Sequence, residues 1–330
     1  DMMATFDDID LVAVADTNPE QLKDAPEGVE TYANIDEMLA NADINVVMVS
    51  TPNPSHPEMV KKAAAAKKHV ICEKPAAMSV AEYDEMVAAC EENGVIFTVH
   101  QQRRWDKDYR IMKEVYDKSM VGDMYIIKSQ LYGVNGNMHD WHIYPEMGGG
   151  MLYDWGVHLI DQMLDMVKSK IVSLYADVQN VINENVDDYF KIIMKFENGV
   201  TAEIELGTYY LTPKRAWFIG GNKGSALIDG FAGEGKIVRT AHLLENVPGK
   251  ITMTAAGPTR SFGPPEPGLL YEEPLPEVNV DHRNYFEHFL KAFNGEEDII
   301  IKPEQVRRVL CVMDAVRESA KTGKAIAFEE

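Results

Sequence analysis

Four short, almost wholly apolar runs punctuate the first hundred residues: Asp10–Ala15, Asn45–Ser50, His69–Cys72 and Val95–Val99. Each is rich in Val and Ile, and each ends in polar residues or Gly/Pro. A strand that is apolar on both faces must be covered on both faces, which helices crossing between parallel strands achieve. The intervening stretches supply those helices. Ile35–Ala40 follows Asn34, an N-cap residue; Pro57–Lys67 is Ala-rich with proline in its first turn; Ser79–Asn93 opens with Ser79 and Glu82 in capping-box spacing and stops at Gly94. The pattern predicts a doubly wound α/β domain over residues 1–121, with ligands beyond the carboxyl ends of its strands.

Near Gly122 the pattern changes. A helix over about 106–119 closes the first part, and longer alternating segments follow at Tyr125–Tyr132, Ile171–Val181, Asp188–Phe196 and Thr201–Tyr209. Glu197-Asn198-Gly199 is a hairpin signal, and Gly220–Gly224 separates strands at Trp217–Ile219 and Ser225–Asp229. One helix, about 150–167, interrupts the strands. Gly257–Pro276 reads as an irregular loop, followed by terminal helices at about 283–294 and 303–322. Residues 122–330 are therefore expected to form a second α/β domain around a large, mostly antiparallel sheet. Apolar alternation in 188–209 leaves one sheet face to be covered, so a homo-oligomer, a dimer or tetramer, is expected.

Charge narrows the partners. Lys and Arg number 32 against 53 Asp and Glu, a net charge of −21, which repels nucleic-acid backbones and anionic membrane surfaces. No run of 18 apolar residues suggests a membrane span, and no signal-peptide pattern is visible. Cys72, Cys90 and Cys311 are widely spaced with no CxxC, as in a reducing, cytoplasmic compartment.

Candidate chemistry lies at the strand ends. Asp16, closing Val-Ala-Val-Ala-Asp, stands where a dinucleotide fold binds ribose hydroxyls, and its charge would favour NAD over NADP; it could equally cap the next turn. Thr51-Pro-Asn-Pro-Ser-His56 and Glu73-Lys74-Pro75 follow the second and third runs. A lysine there could polarise a substrate hydroxyl or carbonyl, or pair with Glu73 at the surface. Gln101-Gln-Arg-Arg-Trp105 follows the fourth; Arg104 could bind a ligand or pair with carboxylates such as Asp106. In Gly148-Gly-Gly-Met-Leu-Tyr-Asp-Trp-Gly-Val-His158, Asp154 and His158 are i and i+4 on a helix, and Gln162 continues that face. A carboxylate one turn from an imidazole can orient it as a general base; a satisfied core histidine is the alternative. In Asn137-Met-His-Asp-Trp-His142, Trp141 could stack on a sugar and His139 bond hydroxyls, or the segment is simply a surface loop. His139, His142, Asp154 and His158 could be gathered around a metal, but no ligand motif such as HExxH supports that, and no metal is expected.

Together, Val70-Ile-Cys-Glu-Lys-Pro75, Arg103-Arg-Trp105 and the Asp154/His158 pair behind three glycines resemble the Gfo/Idh/MocA family of nicotinamide-dependent sugar and polyol oxidoreductases. The resemblance runs over essentially the whole chain. It implies an N-terminal Rossmann domain and a C-terminal α/β domain whose open sheet forms an oligomer interface. It implies Lys74, Asp154 and His158 as catalytic, with His158 the proton acceptor. Asp16, Thr51, Pro52, Asn53, His56, Glu73, Lys74, Gln101 and Arg104 would line the cofactor cleft. Lys74, His139, Trp141, Asp154 and His158 would meet a small sugar, inositol or related polyol. Two departures stand out. The family's first strand and its Gly-x-Gly-x-x-Gly turn have no counterpart before Asp16, so a chain about 20–30 residues short of the working enzyme is expected, with Asp1–Phe6 the tail of a first helix. His142 stands where Arg is expected. Two other functions stay open: glycoside cleavage through transient oxidation by bound NAD, and a non-catalytic sugar or dinucleotide sensor.

Overall fold

In a computed structural model the structure describes residues 5–134, 136, 138–242, 250–260 and 265–328. The first part is built from parallel strands and helices. Strand β1 (Ala13–Ala15) pairs with β2 (Glu30–Tyr32), and helix α1 (Ile35–Asn41) follows. Strand β3 (Val46–Val49), helix α2 (His56–Ala65), strand β4 (His69–Cys72), helix α3 (Val80–Asn93) and strand β5 (Phe97–Val99) form a three-stranded parallel sheet in the order β3-β4-β5. Val70, Ile71, Cys72, Phe97 and Val99 are all buried, as continuously apolar strands require. The helix starts follow from their caps. The Asn34 side chain accepts the Glu37 N–H at 2.9 Å, and Ser79 Oγ accepts the Glu82 N–H at 3.3 Å. Gly94 ends α3 with φ at 66°, a left-handed conformation that favours glycine.

Helix α4 (Lys107–Asp117) leads into the second part. Strand β6 (Met124–Tyr132) precedes helix α5 (Val157–Met166), and then come β7 (Ile171–Gln179), β8 (Tyr189–Phe196), β9 (Thr201–Gly207), β10 (Trp217–Gly221), β11 (Gly224–Ile228) and β12 (Gly235–Thr240). The hairpin β13 (Ile251–Thr254) and β14 (Gly257–Arg260) stands apart, before β15 (Leu270–Glu273), helices α6 (Arg283–Phe293) and α7 (Pro303–Thr322), and β16 (Ile326–Ala327). The large sheet has nine strands in the order β15-β12-β11-β10-β6-β9-β8-β7-β16, with only β6–β9 parallel. Register explains its two faces. One row runs Ala176, Ile192, Ile204, Ser129, Trp217 and Ile228, all buried on the helix side. The adjacent row runs Tyr175, Ile193, Glu203, Lys128 and Phe218, on the face the helices leave open.

Several elements differ from the expectations. Glu30–Tyr32, which carries no apolar run, is a strand because it adds to the edge of β1. Gly257–Pro276 contains β14 and β15 rather than a continuous loop; both are mostly exposed, so neither has an apolar period to betray it. Of the expected helix tail Asp1–Phe6, residues 1–4 lie outside the described residues. Phe6 packs edge-on against Phe286 of α6, with ring centroids 6.1 Å apart.

Candidate active site

The carboxyl ends of β4 and β5 meet the start of α5. Lys74, just past β4, reaches Asp154 twice: its Nζ lies 2.8 Å from Oδ1 and 2.8 Å from the backbone oxygen. Both side chains are largely buried. The turn Leu152–Gly156 is a π-turn, in which the Val157 N–H reaches back five residues to the Leu152 carbonyl. No hydrogen bond joins Asp154 to His158 among the described residues. The carboxylate serves Lys74 instead, and the Asp154 carbonyl is free to accept a second bond from the same ammonium.

The partner of His158 is Gln101, at the end of β5. His158 Nδ1 lies 2.8 Å from Gln101 Oε1, and the two residues are only 3% and 1% exposed. An amide oxygen can only accept, so Nδ1 carries the proton and the lone pair sits on Nε2. Burial holds His158 well below the usual imidazole range, and the nearby cations Lys74 and Arg103 push the same way. His158 is thus a neutral imidazole with its proton on Nδ1.

Glu73 and His100 complete the floor. Glu73 Oε1 lies 2.7 Å from His100 Nδ1, and Oε2 accepts the Lys74 N–H at 3.2 Å. Burial works to raise the Glu73 pKa, but these bonds to His100 and Lys74 bring it below the ordinary value. His100 also stacks edge-on with Tyr285, 4.7 Å between centroids. His100 was not among the expected residues, though it could have been found: it is the first residue past β5, the position equivalent to Glu73 past β4.

The remaining candidates separate into two groups. Asp16, Thr51 and Pro52 are exposed at the strand ends. Asp16 Oδ1 accepts the Asn18 N–H at 2.7 Å, which shapes its turn. Asn53, His56 and Arg104 are instead buried and committed to the protein. Asn53 Nδ2 donates to the Met147 carbonyl at 3.1 Å, tying the β3 loop to the glycine stretch. A Cβ on Gly148 (φ 75°) would stand 2.6 Å from that same Nδ2, so this close approach requires glycine. His56 has no exposure, and its two ring nitrogens face the Thr51 carbonyl at 2.7 Å and the Pro75 carbonyl at 3.0 Å. The expectation that His56 and Arg104 face a ligand is therefore corrected. Arg104 is a core ion pair, with both guanidinium arms at 2.7 Å from Asp161 and a further carboxylate, Asp165, at 3.6 Å. Arg103, not Arg104, pairs with Asp106, and it lies 4.0 Å over the Trp155 ring. Gln162 is also turned to structure, donating to the Arg103 carbonyl at 2.6 Å.

His139 is exposed, while Trp141 and His142 stack 3.7 Å apart on the same short turn. Asn137 lies outside the described residues. Hydrogen bonds from Gly149 N to the Tyr144 carbonyl (3.0 Å) and from Gly150 N to the His142 carbonyl (3.1 Å) bind this aromatic turn to the start of α5. No group of three or more metal-ligating side chains occurs among the described residues. Two clefts, of about 750 and 140 Å³, share Arg103, Asp106 and Phe231 in their linings, and neither is lined by Lys74, Asp154 or His158.

The donor set fits a nicotinamide dinucleotide. Acidic and hydroxyl groups stand exposed at the ends of β1 and β3, and two buried polar atoms, His100 Nε2 and Gln101 Nε2, have no hydrogen-bond partner among the described residues. With His100 Nδ1 donating to Glu73, its Nε2 is an acceptor and Gln101 Nε2 a donor, and unpartnered polar atoms beside Lys74 and His158 suit a polar ligand.

Comparison with known proteins agrees. Residues 1–101 match the oxidoreductase family with an NAD-binding Rossmann fold, and residues 109–227 match the GFO/IDH/MocA C-terminal domain. A solved NAD-binding protein from Listeria innocua is 32% identical, with a TM-score of 0.84, covering 92% of this chain and 87% of that one. An uncharacterised oxidoreductase of Schizosaccharomyces pombe is 28% identical, over 89% of this chain and 84% of its own length. The scyllo-inositol 2-dehydrogenase (NADP(+)) IolW of Bacillus subtilis is 24% identical, over 99% of this chain and 91% of its own length. With two parallel sheets leading into a nine-stranded sheet, and a lysine–aspartate pair set beside a buried histidine, the chain belongs to the Gfo/Idh/MocA family of oxidoreductases.

Proposed function

We propose that this oxidoreductase moves a hydride between a nicotinamide and a carbinol carbon of a sugar, inositol or related polyol. The observation that carries the reading is the pairing of Lys74 with Asp154 beside a buried, neutral His158 whose Nδ1 is tied to Gln101. The bound dinucleotide supplies or accepts the hydride. His158 Nε2 takes the hydroxyl proton in oxidation and returns it in reduction. The Lys74 ammonium, held in place by Asp154, stabilises the negative charge that develops on the substrate oxygen. Glu73 and His100 hold the Lys74 backbone from below. Asp16, Thr51, Pro52, Glu73, Lys74 and Gln101 line the dinucleotide cleft. The Asp16 carboxylate disfavours a 2′-phosphate and so favours NAD. IolW carries NADP(+) in its name, so both cofactors belong in the assay. His139 and Trp141 offer a hydroxyl partner and a stacking face to a sugar ring.

Two further proposals concern assembly and compartment. The open sheet face, with Val172 and Tyr175 exposed, is suited to a second copy of the chain. Three free thiols, Cys72 and Cys90 buried, fit the reducing cytoplasm.

The test is NAD(P)H formation by the purified protein over a panel of inositols, aldoses and polyols. Lys74→Met and His158→Ala are each expected to lower kcat by about 10²–10⁴-fold. Wild-type turnover in both variants would overturn the assignment. Product formation without NAD(P)H accumulation would point to transient oxidation within a net non-redox reaction.

A further inference from the structure

A chain of hydrogen bonds holds the aromatic turn to the helix that carries His158, and its functional meaning rests on the substrate role proposed above for His139 and Trp141. Both are anchored by one dipeptide, Asp187-Asp188, immediately before β8. The Asp187 carbonyl accepts the Met151 N–H at 2.9 Å, and its carboxylate Oδ2 accepts the Leu152 N–H at 2.7 Å. These are the first backbone donors of the π-turn that carries Asp154. Gly150 has φ of 96°, and a Cβ there would stand 2.3 Å from Asp187 Oδ1, so the carboxylate occupies the space that a side chain would need.

Asp188 faces the other way. It is fully buried, and its two oxygens accept the N–H groups of Val181 (2.6 Å), Ile182 (2.9 Å) and Asn183 (2.9 Å), with the Asn183 side-chain amide also at 2.9 Å. Four donors on one carboxylate stabilise its charge and fold residues 181–183 around it. Asn183 then hands the constraint on. Its Nδ2 donates to the Gly136 carbonyl at 2.9 Å, and its Oδ1 accepts the Met138 N–H at 3.0 Å. Met138 directly precedes His139. With the Gly149 and Gly150 bonds back to residues 142–144, the hydrogen bonds close a ring: helix start, β8, the 181–183 loop, the 136–138 segment, the aromatic turn, and the helix start again.

We propose that Asp187, Asp188 and Asn183 are positioning residues that set the substrate wall of His139 and Trp141 against Lys74 and His158. None of the three bonds directly to a residue assigned above to the dinucleotide cleft. Asn183 is the gentlest probe, since it is only part-buried and its loss leaves the Asp188 carboxylate three backbone donors. The experiment compares wild type, Asn183→Ala, Asn183→Asp, Asp187→Ala and Asp187→Asn. It measures hydrogen–deuterium exchange, steady-state kinetics with the best polyol of the panel, and NAD affinity by calorimetry.

Asn183→Ala is expected to speed exchange across 136–144 with β3–β5 unchanged. It should raise the substrate KM about tenfold with kcat within about twofold and NAD affinity unchanged. Asn183→Asp keeps the acceptor for Met138 but sets a carboxylate oxygen against the Gly136 carbonyl and the Asp188 carboxylate, so it should disturb 136–144 at least as much as alanine does. Asp187→Ala should lower kcat by loosening the turn under Asp154. Asp187→Asn keeps an acceptor for Leu152 and should recover most of that loss. Unchanged exchange over 136–144 in Asn183→Ala, or faster exchange with an unchanged KM, overturns the proposal. If wild type oxidises nothing in the panel, the substrate reading fails by itself, and the exchange data still decide whether the ring of bonds holds the turn.

Discussion

Replacing Gln101 with leucine isolates the step from geometry to reactivity. Gln101 and His158 are almost completely buried, and their 2.8 Å bond is the one fixed contact of the imidazole Nδ1 among the described residues. Leucine is close in volume, so the packing survives, but the Nδ1–H loses its acceptor in a place that water does not reach. An unsatisfied buried donor costs about 1–3 kcal/mol. The ring can escape that cost by moving its proton to Nε2 and leaving Nδ1 bare. The tautomer that accepts a substrate proton at Nε2 is then disfavoured by the same amount. Taking about 2 kcal/mol, kcat for oxidation falls roughly 30-fold, with little change in NAD affinity. Gln101→Glu acts in the opposite sense. A carboxylate facing Nδ1 stabilises the imidazolium and raises the His158 pKa, which burial now holds well below 6.5. The acid limb of kcat/KM for oxidation, expected well below pH 6.5 in wild type, should shift upward. The assays are a pH–rate series in both variants and ¹⁵N chemical shifts of His158, which distinguish the protonated nitrogen directly. Wild-type kcat in Gln101→Leu, or a wild-type spectrum showing the proton on Nε2, would refute the reasoning.

Two further predictions concern stability. Asp108 is buried against Trp217, whose Nε1–H donates to it at 3.0 Å, and burial first of all pushes its carboxyl from 3.8 up to about 6. A raised acid pKa favours the fold below the unfolded value and loses that benefit as pH rises through about 6. Relative to wild type, Asp108→Asn should therefore gain stability between pH 4 and pH 8 by up to about 3 kcal/mol, read as chemical denaturation at both pH values; a pH-independent difference would contradict it. Arg104→Met leaves Asp161 charged and unpaired in the core and should cost about 3–5 kcal/mol, while Arg104→Met with Asp161→Leu should recover most of it. Equal melting temperatures for the single and double variants would show that the pair is not coupled.

Much of the fold was legible because it is local or periodic. Val70-Ile-Cys72 must be a strand covered on both faces whatever surrounds it. Asn34, Ser79, Gly94 and Gly323 mark helix ends through their own backbone chemistry. The edge strands β2, β14 and β15 were invisible because exposed strands need no apolar face. The site was legible only as an inventory. Lys74, Asp154 and His158 come together, but which pairs with which depends on the neighbour each polar group finds from distant parts of the chain. Arg103 and Arg104 are adjacent and chemically alike; one stacks on Trp155 and the other is sealed against Asp161, because successive side chains in a tight turn point in different directions.

By itself, then, the sequence determined the strand–helix alternation, the strand-end positions open to ligands, and the residue types available there. Those follow from hydrophobic period and backbone preference, which act over a few residues. Tertiary structure alone decided that Gln101 rather than Asp154 holds His158, that His56 and Arg104 serve the scaffold, and that Asp187 and Asp188 join the two walls of the cleft. Those are hydrogen bonds between groups far apart in the chain, 57 residues for Gln101 with His158 and 201 for Arg104 with Gln305, and their energies exist only once burial has removed the competing water.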